Sequence, residues 1–171
     1  ENLGFGRANN IGFKYALDHD YDYVFLLNQD VYLDSGVIDR LINIQKENKH
    51  YGILSPIHCN SSKTKLDKNF AYYVNYKNSL EFYSDHVLHK QFKDIYDIPF
   101  VNAASWLLSR TCIKAIGGFD PMFYHYGEDE NYCQRVRAHD LKVGVVPKAN
   151  IRHDREGRVR PNISSKLDSL F

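Results

Sequence analysis

The sequence holds only three cysteines, Cys59, Cys112 and Cys133, far apart and odd in number. No C-x-x-C pair is among them, so neither a structural zinc site nor a disulfide framework is indicated, and a reducing compartment fits best. No apolar run approaches the roughly 18 residues that span a bilayer, and no signal peptide is visible. A formal net charge of +1 leaves no strong field of either sign to mark a nucleic-acid-binding or membrane-surface protein. Internal repeats, low-complexity segments, a P-loop, an H-E-x-x-H pair and a G-x-S-x-G turn are also missing. Two imitations fail at positions their motifs require. "GFGRAN" has Asn9 where a dinucleotide fingerprint needs its third glycine. "DHDYDYVFLLNQ" has Tyr23 and Gln29 where a calcium loop needs glycine and glutamate.

What is present suits one globular domain. The 171 residues suffice for a single core, and 43% hydrophobic with 25% charged residues argues against disorder. Tyrosine is abundant, at 13 residues; its flat apolar face and polar tip suit sugar binding, interfaces and cores alike.

Periodicity predicts an α/β order. "GRANNIGFKYALDHD" reads as a helix, and "YDYVFLL" as a strand buried on both faces, of the kind found in parallel sheets. "NQDVYLDSG" reads as a polar turn, with Asp34 or Ser35 capping a helix whose stripe is Val37, Ile38, Leu41 and Ile42. "YGILSPI" is a strand ended by Pro56. Strand, helix, strand is the signature of a doubly wound sheet. Residues 58 to 99 interrupt it with a polar loop and two possible extra strands, "AYYVNY" and "LEFYSDHVLHKQF". "FVNAASWLLS" then reads as a strand, "RTCIKAI" as a short helix stopped by Gly117-Gly118, and "KVGVVP" as a last strand.

Two acidic spots carry possible chemistry. In "HYGEDENYCQRV", a helix starting near Gly127 puts Asp129, Tyr132, Cys133 and Val136 on one inward stripe, with Glu128 and Glu130 about 100° to either side. Acids in a first turn are favoured by helix-end electrostatics alone. A carboxylate aimed at a pocket can also take a proton from a hydroxyl. In "FLLNQD", Asn28, Gln29 and Asp30 end a strand, where open α/β sheets bind ligands. An Asp there can bind a divalent metal, although Asn and Asp are also ordinary turn formers. His153, after the last strand, could complete such a site or be structural. Trp106, the only tryptophan, suits either the floor of a sugar pocket or a core position.

Four segments in order resemble one family. "ENLGFGRANNIGFKYAL", "YVFLLNQDV", "GGFDPMFYHYGEDENYCQRV" and "VGVVPKANIRH" are similar to family 2 glycosyltransferases of the GT-A fold, and most to their rhamnosyltransferase-like branch. The resemblance covers residues 1 to 153 and is weakest over 58 to 99. It implies a GT-A, Rossmann-like α/β fold with a mixed, mainly parallel sheet flanked by helices. It also implies that Asp30 is the metal-binding last residue of a D-x-D-type motif, beside Asn28 and Gln29 on the donor. Glu128 and Asp129 match the family's acidic pair, whose second member is the catalytic base. His153 matches a terminal histidine of the metal site, Trp106 an acceptor-side tryptophan, and Asn10 a residue near the diphosphate. Two departures stand out: only the last Asp of the D-x-D-type motif is kept, and Asn131 replaces a further Asp of many relatives.

The resemblance further implies an inverting enzyme of cell-surface polysaccharide synthesis using Mg²⁺ or Mn²⁺. Its donor would be a UDP- or dTDP-linked sugar and its acceptor a glycan or lipid-linked hydroxyl. It would lie in the cytoplasm, with peripheral contact at the inner face of the plasma membrane. Relatives begin with a βαβ unit holding the nucleotide base, so residues 1 to 153 are expected to be a partial GT-A domain, N-terminally truncated. Its open sheet edge would favour oligomers. Residues 154 to 171 are expected to be a basic tail. The alternatives are a non-catalytic nucleotide-sugar or carbohydrate-binding module and a metal-dependent hydrolase, the latter normally showing a denser His/Asp cluster.

Overall fold

A computed structural model describes residues 4–123 and 126–155. In chain order the elements are α1 (Phe5–Asp18), β1 (Tyr23–Leu27), β2 (Val31–Leu33), α2 (Val37–Glu47), β3 (Tyr51–Cys59) and α3 (Lys68–Tyr73). Then come α4 (Leu80–Val87), β4 (Tyr96–Asp97), β5 (Ser105–Ser109), α5 (Arg110–Ile116), α6 (Glu128–Ala138) and β6 (Lys142–His153). Asp154 and Arg155 follow β6; the rest of the expected basic tail lies outside the described residues.

The sheet order is β1-β5-β3-β6-β2, with β4 also on β6. Side chains on β5 alternate across it with the period of two expected of a strand. Trp106 and Leu108 join the larger core, with Phe13, Phe119, Tyr132 and Val136 from the helical side. Leu107 points the other way, into a second core with Val37 and Leu41 of α2. Helices thus cover both faces, as the α/β pattern predicts.

The balance of strand directions corrects one expectation. Four of the five ladders are antiparallel, and only β3 with β6 is parallel. The βαβ rhythm holds for direction, since β1, β3 and β6 all run the same way. Antiparallel β5 inserts between β1 and β3, which local pattern does not reveal. As a result β1 is paired on one side only among the described residues, and it is half-buried rather than covered on both faces.

Other corrections have local causes. The polar turn at 28–36 contains β2, and Gly36 occupies the N-cap of α2 without help from Asp34 or Ser35. Ile38 faces solvent, while Gln45 completes the buried stripe with Val37 and Leu41 and donates to Tyr51 O at 2.6 Å. Pro56 does not end β3; a register shift there absorbs the missing N–H, and the strand runs on to Cys59. The two extra strands expected in 58–99 are helices α3 and α4. Tyrosine-rich runs favour strands only weakly, and capping overrides them here. The buried Asp67 carboxylate accepts from the Asn69 and Phe70 amides, and Phe70 and Val74 pack inward one turn apart.

Cys112 and Cys133 are buried and free; burial pushes the Cys112 thiol up to about 12, so it serves as a small core hydrophobe. Among the described residues no helix is long and apolar enough to cross a membrane.

Candidate functional site

Three backbone arrangements gather the candidate residues. The β1–β5 register pairs Leu27 with Ser105, and the Asn28 amide continues it by donating to Ala104 O at 2.9 Å. Residues 28–30 therefore lie beside 102–104. The β2–β6 register pairs Val31 with His153, and the Asp154 amide donates to Asp30 O at 2.8 Å. Asp30 and His153, 123 positions apart, are thereby neighbours: Oδ2 lies 3.3 Å from Nε2. Finally, Gly127 sits at φ 88° and opens α6, a left-handed conformation that glycine adopts without a Cβ penalty. Tyr126 precedes it, also left-handed at φ 68°, a strained state for a bulky residue.

The product is one cleft of about 990 Å³. Asn28, Gln29 and Asp30 line it from the end of β1, and Glu128, Asp129 and Glu130 from the start of α6. The acid closing an early strand and the acids opening a late helix thus share a cavity. Asn9 of α1, Asn69 and Tyr73 of α3, and Tyr126 complete parts of the wall. Among the described residues Arg155 is the one cation lining the cleft, held at 2.8 Å by Asp67.

The acidic triplet divides differently from the helix-face expectation. Tyr132, Cys133 and Val136 are buried as predicted and Glu130 is exposed, but Glu128 is buried while Asp129 is only half-buried. Glu128, Tyr132 and Val136 form an i, i+4, i+8 row, so the inward stripe is broad enough to take in Glu128 as well. Glu128 Oε2 has no hydrogen-bond partner among the described residues. Asp129 accepts from the Glu130 amide at 2.8 Å and, weakly, from the Ala103 amide at 3.4 Å. Burial pushes the Asp129 carboxyl above the usual carboxylate range against the pull of those amides, and the Glu128 charge adds to the rise. Arg135 of α6 donates to Ile116 O and Gly118 O.

Behind Asp30, His153 is buried, and the His58 ring meets it edge-on at 6.0 Å. His58 is fixed by Ser55 Oγ at 3.0 Å and stacks on Phe70. Burial, and then the His153 and Arg155 charges, hold the His58 imidazole well below its ordinary pKa. A carboxylate oxygen and an imidazole nitrogen 3.3 Å apart fit two adjacent ligands of one ion, which at metal–ligand distances near 2.1 Å would stand about 3 Å apart. Among the described residues no group of three His, Cys, Asp or Glu side chains converges on a point.

Two predicted site residues fall elsewhere. Trp106 has no exposed surface; it stacks on Phe119 at 6.2 Å and packs against Tyr132, so it takes the core alternative and offers no face to an acceptor. Asn10 spends its whole amide on Phe119, accepting from its N–H at 2.7 Å and donating to its carbonyl at 2.8 Å. Its neighbour Asn9 lines the cleft instead. Sequence reasoning also missed Asn69, Tyr73 and Arg155. Of these, Arg155 alone left a signal, two positions after His153 in a stretch already marked as basic.

A family model described as glycosyltransferase like family 2 matches residues 2–166. The chain belongs to this family. Among curated relatives, the low-salt glycan biosynthesis hexosyltransferase Agl10 of Haloferax volcanii is 21% identical over 154 residues, covering 90% of this chain and 49% of the relative. An uncharacterised protein of Mycobacterium bovis is 24% identical over 157 residues, covering 90% and 54%. The chain therefore spans about half the length of the curated relatives it matches. Among solved structures, GalNAc-T7 with UDP, GalNAc and Mn²⁺ superposes with a TM-score of 0.64 at 13% identity, covering 94% of this chain and 32% of that one. A197 from STIV superposes at 0.54 and 15% identity, covering 86% and 66%. These likenesses establish that this family 2 domain has a GT-A fold.

Proposed function

We propose that the protein carrying this domain transfers a sugar from a nucleotide-sugar donor to an acceptor hydroxyl, with inversion, in glycan assembly. The observation that carries the reading is the shared cleft: Asp30 and the Glu128–Asp129 pair, 98 positions apart in the case of Asp30 and Glu128, line one cavity in a family 2 chain. Support for a glycan role comes from the hexosyltransferase named for glycan biosynthesis.

Asp129 takes the proton of the attacking hydroxyl, because its carboxylate lines the cleft and burial makes it a stronger base than an exposed aspartate. The oxygen attacks the anomeric carbon as the bond to the diphosphate breaks, in one displacement without a covalent enzyme intermediate. Glu128 beside it keeps the Asp129 carboxyl basic. Asn28 and Gln29 lie on the donor side, next to Asp30. Asp30 and His153 would hold a divalent cation, Mg²⁺ or Mn²⁺, whose chemistry when bound is to offset negative charge on a diphosphate leaving group. Support for a divalent ion is the Mn²⁺ in the GalNAc-T7 structure.

The test is incubation of the full-length protein with UDP- and dTDP-sugars, with and without glycan or lipid-linked acceptors. Release of nucleoside diphosphate should require acceptor, and Asp129→Asn should lower kcat by about 10²- to 10⁴-fold with donor affinity kept. Release without acceptor would indicate a hydrolase. Binding without release would indicate a carbohydrate-binding module.

A further inference from the structure

With Trp106 in the core, other residues supply the aromatic surface of the cleft. Tyr73 of α3 meets Phe100 edge-on, with ring centroids 4.8 Å apart. Both rings are half-buried: each packs against the larger core and also lines the cleft. Asn69 stands four residues before Tyr73, so the two share one face of α3, while Phe70 and Val74 turn inward. Asn69 lines the cleft too, and no hydrogen bond among the described residues uses its side chain.

One segment ties this pair to the acids. Along residues 100 to 104, Phe100 meets Tyr73, the Ala103 amide donates to Asp129 at 3.4 Å, and Ala104 O accepts from the Asn28 amide. Burial, and then the Asp129 charge, push the Tyr73 phenol above its ordinary range, as a nearby carboxylate does. Charge narrows what can sit there. Glu128, Asp129 and Glu130 line the cleft, and Arg155, its one cation among the described residues, is held by Asp67. An anionic group beside Asp129 would meet three acids and a guanidinium already paired. An alkyl chain would strip water from the Asn69 amide and the carboxylates without replacing its hydrogen bonds. A pyranose ring satisfies both kinds of surface: its C–H face packs on aromatic rings, and its hydroxyls reach an amide and a carboxylate.

We propose that Tyr73 and Phe100 form the platform on which a neutral sugar ring of the acceptor stacks, with Asn69 taking its hydroxyls and Asp129 the attacking one. The reacting end of the acceptor is then an uncharged glycan residue, in preference to an acidic sugar, a lipid phosphate or an alkyl alcohol. A ring seated on two side chains fixed against the core turns one hydroxyl toward Asp129, so the platform also selects the linkage. This inference rests on the transferase reading of the cleft and adds the acceptor class to it.

Saturation-transfer NMR of the full-length protein measures binding apart from reaction. The probes are the methyl glycosides of glucose, galactose and mannose, with methyl glucuronide and a short polyprenyl phosphate as acidic counterparts. At least one neutral glycoside should bind more tightly than either acidic probe, and Asp129→Asn should keep that binding. Tyr73→Leu keeps apolar volume against the core but removes the ring, and should raise the glycoside Kd about 10-fold, the worth of one aromatic contact. Tyr73→Phe should bind like wild type, whereas a merely structural role would be filled equally by Leu and Phe. In the transfer assay Tyr73→Leu should raise acceptor KM by the same factor and leave donor KM unchanged. Urea unfolding checks the fold, and if Tyr73→Leu does not fold, Phe100→Leu makes the same comparison. The platform is overturned if no neutral glycoside binds, if an acidic probe binds tighter, or if the leucine variant binds like wild type. Transfer that needs Asp129 but not Tyr73 would strike the platform alone. Undiminished transfer by Asp129→Asn would strike the base instead, and the Tyr73 comparison would still judge the platform.

Discussion

Gly118 and Asn10 should behave as one structural unit, and a double-mutant cycle measures whether they do. A Cβ on Gly118 would stand 2.4 Å from Asn10 Oδ1 and 2.7 Å from its Cγ. The amide cannot simply swing aside, because both its ends are bonded to the Phe119 backbone. Accommodating the methyl therefore means breaking those two bonds. Each contributes about 0.5–1.5 kcal/mol net, so Gly118→Ala should cost about 2 kcal/mol. Asn10→Ala removes the same two bonds and should cost a similar amount. In the double variant the obstruction is already gone, and the total should stay near 2 kcal/mol instead of doubling. Urea unfolding monitored by circular dichroism gives the three values, and each single variant should melt roughly 4–8 °C lower. Costs that add to within about 0.5 kcal/mol would refute the shared cause. The same Asn10→Ala protein, assayed below its melting point, should keep its nucleotide affinity; a loss would restore the diphosphate role that its geometry argues against.

Asp129→Asn should stabilise the fold while it removes activity. Because burial raises the Asp129 pKa, folding favours its protonated form, so its contribution is fullest below the ordinary carboxylate pKa and is lost as pH rises through the raised value. The Asn variant should accordingly unfold at higher urea than wild type at pH 7 and lose that advantage near pH 3; an equal advantage at both would assign the effect to something other than this charge. The acid limb of kcat in the wild type should fall at a pH above that of an exposed aspartate. Trp106→Ala should cost about 3–5 kcal/mol, as removal of a large buried ring does, and leave acceptor KM unchanged in the folded fraction. A raised acceptor KM with unchanged stability would return Trp106 to the binding site.

Much of the site's inventory was legible without coordinates. Asp30 at a strand end and Asp129 in a glycine-started helix were found because both signals are local: a continuous apolar run that stops, and a 3.6-residue stripe behind a cap. The same local signals located α2, β3, α5 and the start of β6, but β6 runs six residues past the expected end at Pro147 and takes in His153. They failed for α3 and α4, where an aspartate cap and inward Phe70, Val74 and Phe82 outweigh the β preference of the intervening tyrosines.

By itself the sequence determined which residues can do chemistry and that helices and strands alternate, since both follow from side-chain type and short-range period. Tertiary structure alone decided which of those residues meet. The β2–β6 register brings His153 against Asp30, and the entry of antiparallel β5 sets Ala104 against Asn28 and Ala103 against Asp129. It also sent Trp106 into the core and bound the Asn10 amide to Phe119. Strand order and register are set by packing between distant segments, and no period within one segment encodes them.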